Sequence, residues 1–172
     1  MSFDIRIQKA KVLEEKMREY FASKGINYAL SGYEHLESSD NFMESIRRLD
    51  DGTSKRLRYF PDFIATNKKA WLIEAKYSQT IEKDAYDNYM DLDMIGYNMG
   101  IVFYKDDKLL FANITDLVLQ TVTNAIIPVI DNIWIAPRQM PNYFEWKSKH
   151  PQSSGTTFGV VDFNKTNFTR LN

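Results

Sequence analysis

Arg58-Tyr59-Phe60-Pro61-Asp62-Phe63-Ile64-Ala65-Thr66, then Asn67-Lys68-Lys69, then Ala70-Trp71-Leu72-Ile73-Glu74-Ala75-Lys76-Tyr77 is a pair of alternating apolar runs with a short polar break. Alternation at period two predicts strands, and the break predicts a tight turn that makes them antiparallel. Asp62, Glu74 and Lys76 put charges where a strand should be buried. Because side chains alternate faces, Glu74 and Lys76 share one face while Trp71, Ile73, Ala75 and Tyr77 form the other. The same count sets Leu57, Tyr59, Phe63 and Ala65 opposite Asp62. A three-residue turn over 67–69 pairs Thr66 with Ala70 and brings Asp62 opposite Glu74. A two-residue turn would set Asp62 against Ile73 and send the carboxylates to opposite faces. A merely solvated outer face is the bland alternative for such a hairpin. Phe60, Ile64 and Leu72 on the charged face argue against it.

Two carboxylates on neighbouring strands, roughly 5 Å apart at Cβ, make an oxygen-rich pocket suited to Mg²⁺ or Mn²⁺. Lys76 adds a cation beside an anionic substrate. Pro61-Asp62, eleven residues, then Glu74-Ala75-Lys76 resembles the motif of the PD-(D/E)xK nuclease superfamily, which covers restriction enzymes, junction resolvases and phage or repair exonucleases. The resemblance spans roughly residues 6–104. It implies an α/β, restriction-endonuclease-like fold, with an α-β-β-β-α-β core whose mixed sheet is flanked by helices and carries the motif on strands two and three. The implied activity is a Mg²⁺-dependent deoxyribonuclease, an endonuclease hydrolysing phosphodiester bonds of DNA. In that reading Asp62, Glu74 and the Ala75 carbonyl hold Mg²⁺ or Mn²⁺, and Lys76 orients or activates the attacking water or stabilises the pentavalent phosphorus. The first helix of such proteins often adds an acid, and Glu14 is the residue to match. A catalytically inactive nucleic-acid-binding or protein-binding module on the same fold is the alternative. A Gln-x-x-x-Tyr signature of some exonuclease branches is absent, since Lys83 stands four residues after Gln79.

With 172 residues, 44% hydrophobic and 14% aromatic, the chain can bury a full core. The division expected is a core over 1–136 and an aromatic-rich C-terminal extension over 137–172, packing on the core or a partner. Absence of cysteine rules out disulfides, zinc-thiolate sites and a cysteine nucleophile, and fits a cytoplasmic protein. No apolar run approaches a membrane span. A net charge of −1 argues against a strongly basic DNA-coating protein but leaves room for local patches. Lys55, Arg56, Arg58, Lys68 and Lys69 are the candidates for nucleic-acid contact, with a solvated surface as the plain alternative. DNA is the expected partner and RNA stays open; a homodimer would supply two sites for symmetric cutting.

In chain order, residues 5–24 predict a helix ending at Gly25, with Ile7, Ala10, Leu13, Met17 and Phe21 as its apolar face. Glu14 falls inside that face, where an ion pair with Lys11 or Arg18 is the alternative to metal binding. Residues 26–36 predict the first strand, through Tyr28, Leu30 and Tyr33. Residues 37–54 predict a polar loop with a helical turn or two, with His35 near its start. Ser78 or Thr80 is expected to cap a second helix running to about Met99, with Ile81, Ala85, Tyr89 and Leu92 inward. On it Asp84, Asp87 and Asp91 form an acidic ridge, either a second metal site or a solvated face. Residues 100–104 and 109–114 predict a hairpin whose first strand lies parallel to the Glu74 strand, because a helix intervenes. A short helix over 115–125 and a strand over 126–135 follow.

Overall fold

A computed structural model describes residues 3–32, 40–119, 147–148 and 157–172. His35, Tyr33, the strand expected over 126–135, and Tyr143, Phe144 and Trp146 lie outside these residues, as do the side chains of Ile7 and Phe158.

The first element is helix α1 (Phe3–Ser23). Leu13, Met17 and Phe21, spaced one turn apart, are its buried stripe, whereas Ala10 is exposed. The helix stops where expected. Gly25 takes φ +62°, its N–H reaches the Ala22 carbonyl at 3.2 Å, and the Ile26 N–H reaches the Phe21 carbonyl at 2.9 Å. That paired bonding satisfies end carbonyls and favours glycine at the left-handed position.

Strand β1 (Asn27–Leu30) follows, then helices α2 (Asp40–Arg48) and α3 (Gly52–Arg58). The segment expected as a loop is thus mostly helical. Asp51 caps α3, its carboxylate accepting from the N–H groups of Thr53 at 2.9 Å and Ser54 at 3.0 Å. This corrects the first motif strand, which is shorter than expected: β2 covers Phe63–Thr66, while Leu57 lies in α3 and Tyr59 ends it. Pro61 explains the boundary, since it lacks the N–H a ladder needs.

Strand β3 (Ala70–Lys76) pairs antiparallel with β2 in the register Thr66↔Ala70 to Phe63↔Ile73. The three-residue turn is therefore present, and one step further along that register stand Asp62 and Glu74. Strand β4 (Thr80–Glu82) and helix α4 (Lys83–Met94) come next. Here the expected helix start is corrected. Thr80 and Ile81 are extended because they pair with a strand of the C-terminal extension, and the Ser78 and Thr80 hydroxyls bond each other at 2.9 Å instead of capping. The helix also ends sooner, at a turn where Gly96 takes φ +99°.

Strand β5 (Met99–Lys105) runs parallel to β3, and β6 (Lys108–Asn113) returns antiparallel through Asp106-Asp107. A single 3₁₀ turn at Ile114–Asp116 replaces the start of the expected short helix. Strands β7 (Lys147–Ser148), β8 (Thr157–Val160) and β9 (Thr169–Arg170) complete the described elements. The main sheet is mixed, six-stranded, in the order β1-β2-β3-β5-β6-β9, and β4-β8-β7 form a smaller sheet. The fold is α/β.

Both faces of the main sheet are covered. Helix α1 packs on Phe63, Ala65, Ile73, Val102 and Leu109. On the other face, Ala85 and Tyr89 of α4 join Leu72, Met99, Ile101 and Phe103, with Phe60 and Ile64 at the margin. By alternation Glu74 and Lys76 lie on the same side of β3 as Leu72, and at that end of the strand the cavity beside them is also walled by Ala10, Leu13 and Glu14 of α1. Among the described residues no helix is long and apolar enough to cross a membrane.

Candidate active site

Asp62 stands at the bend where the chain enters β2, and contacts from Ser31 and Asn88 help to set its position. The Ser31 hydroxyl donates to the Pro61 carbonyl at 2.8 Å, and the Ser31 N–H to the Asp62 carbonyl at 2.9 Å. From behind, buried Asn88 of α4 donates its side-chain amide to the Tyr59 carbonyl at 2.9 Å. The Pro61-Asp62 bend is thereby held between β1 and α4.

Across from it, the Asp62 carboxylate accepts the backbone N–H of Ala75 at 2.8 Å. In an extended strand both backbone polar groups of a residue face the same neighbour, so the Ala75 carbonyl is also directed towards the side where β2 has diverged. Glu74 is buried at 6% exposure, and its Oε1 lies 2.5 Å from the Lys76 ammonium. Asp62, Glu74, Ala75 and Lys76 line one cavity of about 200 Å³, with Glu14 and Tyr77 on its walls. The residues singled out by alternation and turn length do meet.

The electrostatics define the form of Lys76. Burial alone would lower its pKa, but the Glu74 carboxylate, with Asp62 and Glu82 further off, outweighs burial and holds the ammonium above its ordinary value. Lys76 is a cation throughout the neutral range. On the same flank Tyr59 is pushed up to about 12, first by burial and then by Glu82 and Asp84.

Glu14 reaches the cavity wall from α1, and its carboxylate is ion-paired with Arg18 one turn on. Among the described residues, no three His, Cys, Asp or Glu side chains gather closely enough to hold a metal ion by themselves. The donor set at the cavity is accordingly two carboxylates, Asp62 and Glu74, with the Ala75 carbonyl. An all-oxygen set of this kind suits a hard divalent cation that keeps several waters. Space agrees, since about 200 Å³ holds an ion and several waters at about 30 Å³ each.

The expected basic residues are distributed less favourably. Lys68 and Lys69 sit at the β2–β3 turn, the far end of the hairpin, roughly 16–20 Å from Glu74 at the rise of a strand. There Lys69 bonds the Asn98 side chain at 2.9 Å and lies over the Trp71 ring. On α3, Lys55 pairs with Asp50 at 2.9 Å, and Arg58 turns inward to the Arg47 carbonyl at 2.8 Å. Arg56 stays largely exposed, 3.9 Å from Asp91. Asp84, Asp87 and Asp91 of α4 are exposed, with Asp87 paired to Lys83.

Two residues the sequence reading missed are Ser31 and Asn88. Asn88 carried a readable signal, a polar residue one turn from Ala85 on the inward stripe of α4. Ser31 carried none, because its partner is a backbone carbonyl in a distant segment. No family model, curated protein or solved structure matches this chain, so the site stands on its own geometry.

Proposed function

We propose that the chain is a metal-dependent endonuclease with a restriction-endonuclease-like core, hydrolysing phosphodiester bonds of DNA at the cavity between β2 and β3. The observation that carries the reading is the convergence of Asp62, Glu74 and Lys76 on one cavity, at the point where the two strands part. The element order and the parallel β3–β5 pair after a helical crossover support the fold assignment.

In this mechanism Asp62 and Glu74, with the Ala75 carbonyl, hold Mg²⁺ or Mn²⁺. When bound, the ion supplies Lewis-acid stabilisation of the phosphate and a more acidic water. Lys76 stands beside these donors, its ammonium paired with Glu74. Its role is to orient the attacking water and to stabilise negative charge on the scissile phosphate. Direct attack by water also agrees with a cavity wall that offers no serine or cysteine nucleophile among the described residues. Glu14 is a further donor only if it exchanges Arg18 for the ion.

Metal binding separates this reading from an inactive binding module. Titrated with Mn²⁺ in a thermal melt, the wild-type chain should rise in Tm, gaining about 1.4 kcal/mol for each tenfold of metal above Kd. Glu74→Gln should abolish that gain, and Glu14→Gln should reduce it less. A wild-type melt indifferent to Mn²⁺ and Mg²⁺ would favour the module.

A further inference from the structure

Beyond the C-terminal ends of β3 and β5 lies a second cavity of about 280 Å³, lined by Tyr77, Gln79, Phe103, Tyr104, Lys105 and Phe163. It adjoins the first, because Tyr77 is on the wall of both. Three lysines, two on α1 and one at the end of β5, each lie over one of its rings. Lys9 is 5.0 Å from the Tyr77 centroid, Lys16 is 5.5 Å from that of Tyr104, and Lys105 is 4.8 Å from that of Phe163. Lys9 and Lys16 are two turns apart on one face of α1, about 10 Å along its axis.

The rings are firmly seated. Tyr77 and Tyr104 are 5.5 Å apart, the Tyr104 hydroxyl donates to Asp107, and Phe163 packs on Phe103 and Phe168 at 5.3 and 4.9 Å. Tyr77 is nonetheless 37% exposed. Aromatic faces interleaved with ammonium groups match a polyanion that also carries flat apolar rings, which is the chemistry of an unpaired nucleic-acid strand. In a duplex the bases are already stacked on one another and offer no face to Tyr77.

We infer that this surface binds single-stranded DNA, stacking an unpaired base on Tyr77 and placing the adjoining phosphate at the Asp62-Glu74-Lys76 cavity. The inference rests on the nuclease reading for the choice of DNA and for the direction of the strand, and it makes unpaired or frayed DNA the preferred substrate.

Fluorescence anisotropy with the full chain in EDTA tests binding apart from cleavage. The probes are labelled oligo(dT) of about 20 nucleotides, long enough for an aromatic-lined groove, a blunt duplex of equal length, and oligo(U). Oligo(dT) should bind at least tenfold tighter than the duplex. Tyr77→Ala should weaken oligo(dT) roughly tenfold and Tyr77→Phe should restore it, as base stacking requires. Lys9→Gln, Lys16→Gln and Lys105→Gln together should lower the salt dependence of binding by a slope of about 2. Equal affinity for duplex, or a Tyr77→Ala chain that binds like wild type, would overturn the surface, and tighter binding of oligo(U) would overturn its assignment to DNA. The two readings fail separately. Tyr77-dependent oligo(dT) binding by a chain that never cuts would leave the surface standing and sink the nuclease, whereas metal-dependent cutting without single-strand preference would do the reverse.

Discussion

Lys76 is held by opposing effects, burial against a carboxylate 2.5 Å away, and the carboxylate wins. Since its folded pKa is raised, the stability it contributes is fully present below the unfolded value of 10.5 and is lost as pH rises through the folded one. Wild-type stability should therefore fall more steeply above pH 10.5 than that of Lys76→Met, measured by urea unfolding from pH 8 to 12. The remaining slope in the variant belongs to groups such as Tyr59, whose phenol is raised to about 12 and acts in the same direction. Identical slopes in the two chains would remove the ion pair from this explanation. Asn88 acts differently, through the Tyr59 carbonyl and thus through the bend that presents Asp62. Removing its amide leaves that carbonyl without its donor, at a cost of about 1–3 kcal/mol. Asn88→Ala should lose stability by that amount and weaken Mn²⁺ binding, whereas Asn88→Asp should not restore either, since a carboxylate cannot donate. Full Mn²⁺ affinity in Asn88→Ala would show that the clamp does not position Asp62.

The decisive element is the β2–β3 hairpin. Its register was legible because two constraints agreed, a period-two pattern on both runs and a turn whose length could be counted. The extent of β2 was less legible, since Leu57 and Tyr59 fit the alternation yet the first lies in α3 and the second ends it, where the Asp51 cap and Pro61 override pattern. Non-local pairing hid β4. Thr80-Ile81-Glu82 reads as the start of a helix, and only strand β8, more than seventy residues later, makes it extended. Helices α2 and α3 were obscured for a third reason, that their polar segment commits few side chains to the core, with Ile46 and Ser54 buried. The β5–β6 hairpin offers a test of packing at this scale. A Cβ added at Gly100 would stand 2.2 Å from the Phe111 ring, which also meets Trp71 edge-on at 5.3 Å. Gly100→Ala should cost about 1–3 kcal/mol in urea unfolding. A cost below about 0.5 kcal/mol would mean that Phe111 turns away freely, against a close-packed interior.

At the scale of the molecule, the described part of the C-terminal extension is built into the core. Strand β9 adds to the edge of the main sheet, and β8 pairs with β4. The Asn172 side chain accepts the Leu109 N–H at 2.7 Å. Phe163 and Phe168 close the α4-side core around Phe103, so the extension also builds the wall beside the candidate active site. The aromatic content of residues 158–168 was visible in sequence, but which strands it joined was not, because composition carries no register. The site has the same division. Asp62, Glu74 and Lys76 could be placed together from local spacing, while the Arg18 pairing of Glu14 stayed one of two open readings. The inward turn of Arg58 was not readable, since it depends on how α3 sits against α2.

The most direct measurement is cleavage of single-stranded DNA, linear and supercoiled duplex, a four-way junction and RNA, in Mg²⁺, Mn²⁺ or EDTA, by wild type, Glu74→Gln and Lys76→Met. Cutting of DNA should require the metal and should fall at least a hundredfold in both variants, with melts confirming that each remains folded. Undiminished cutting by either folded variant, or cutting by wild type in EDTA, would contradict a metal-dependent site built on Asp62, Glu74 and Lys76.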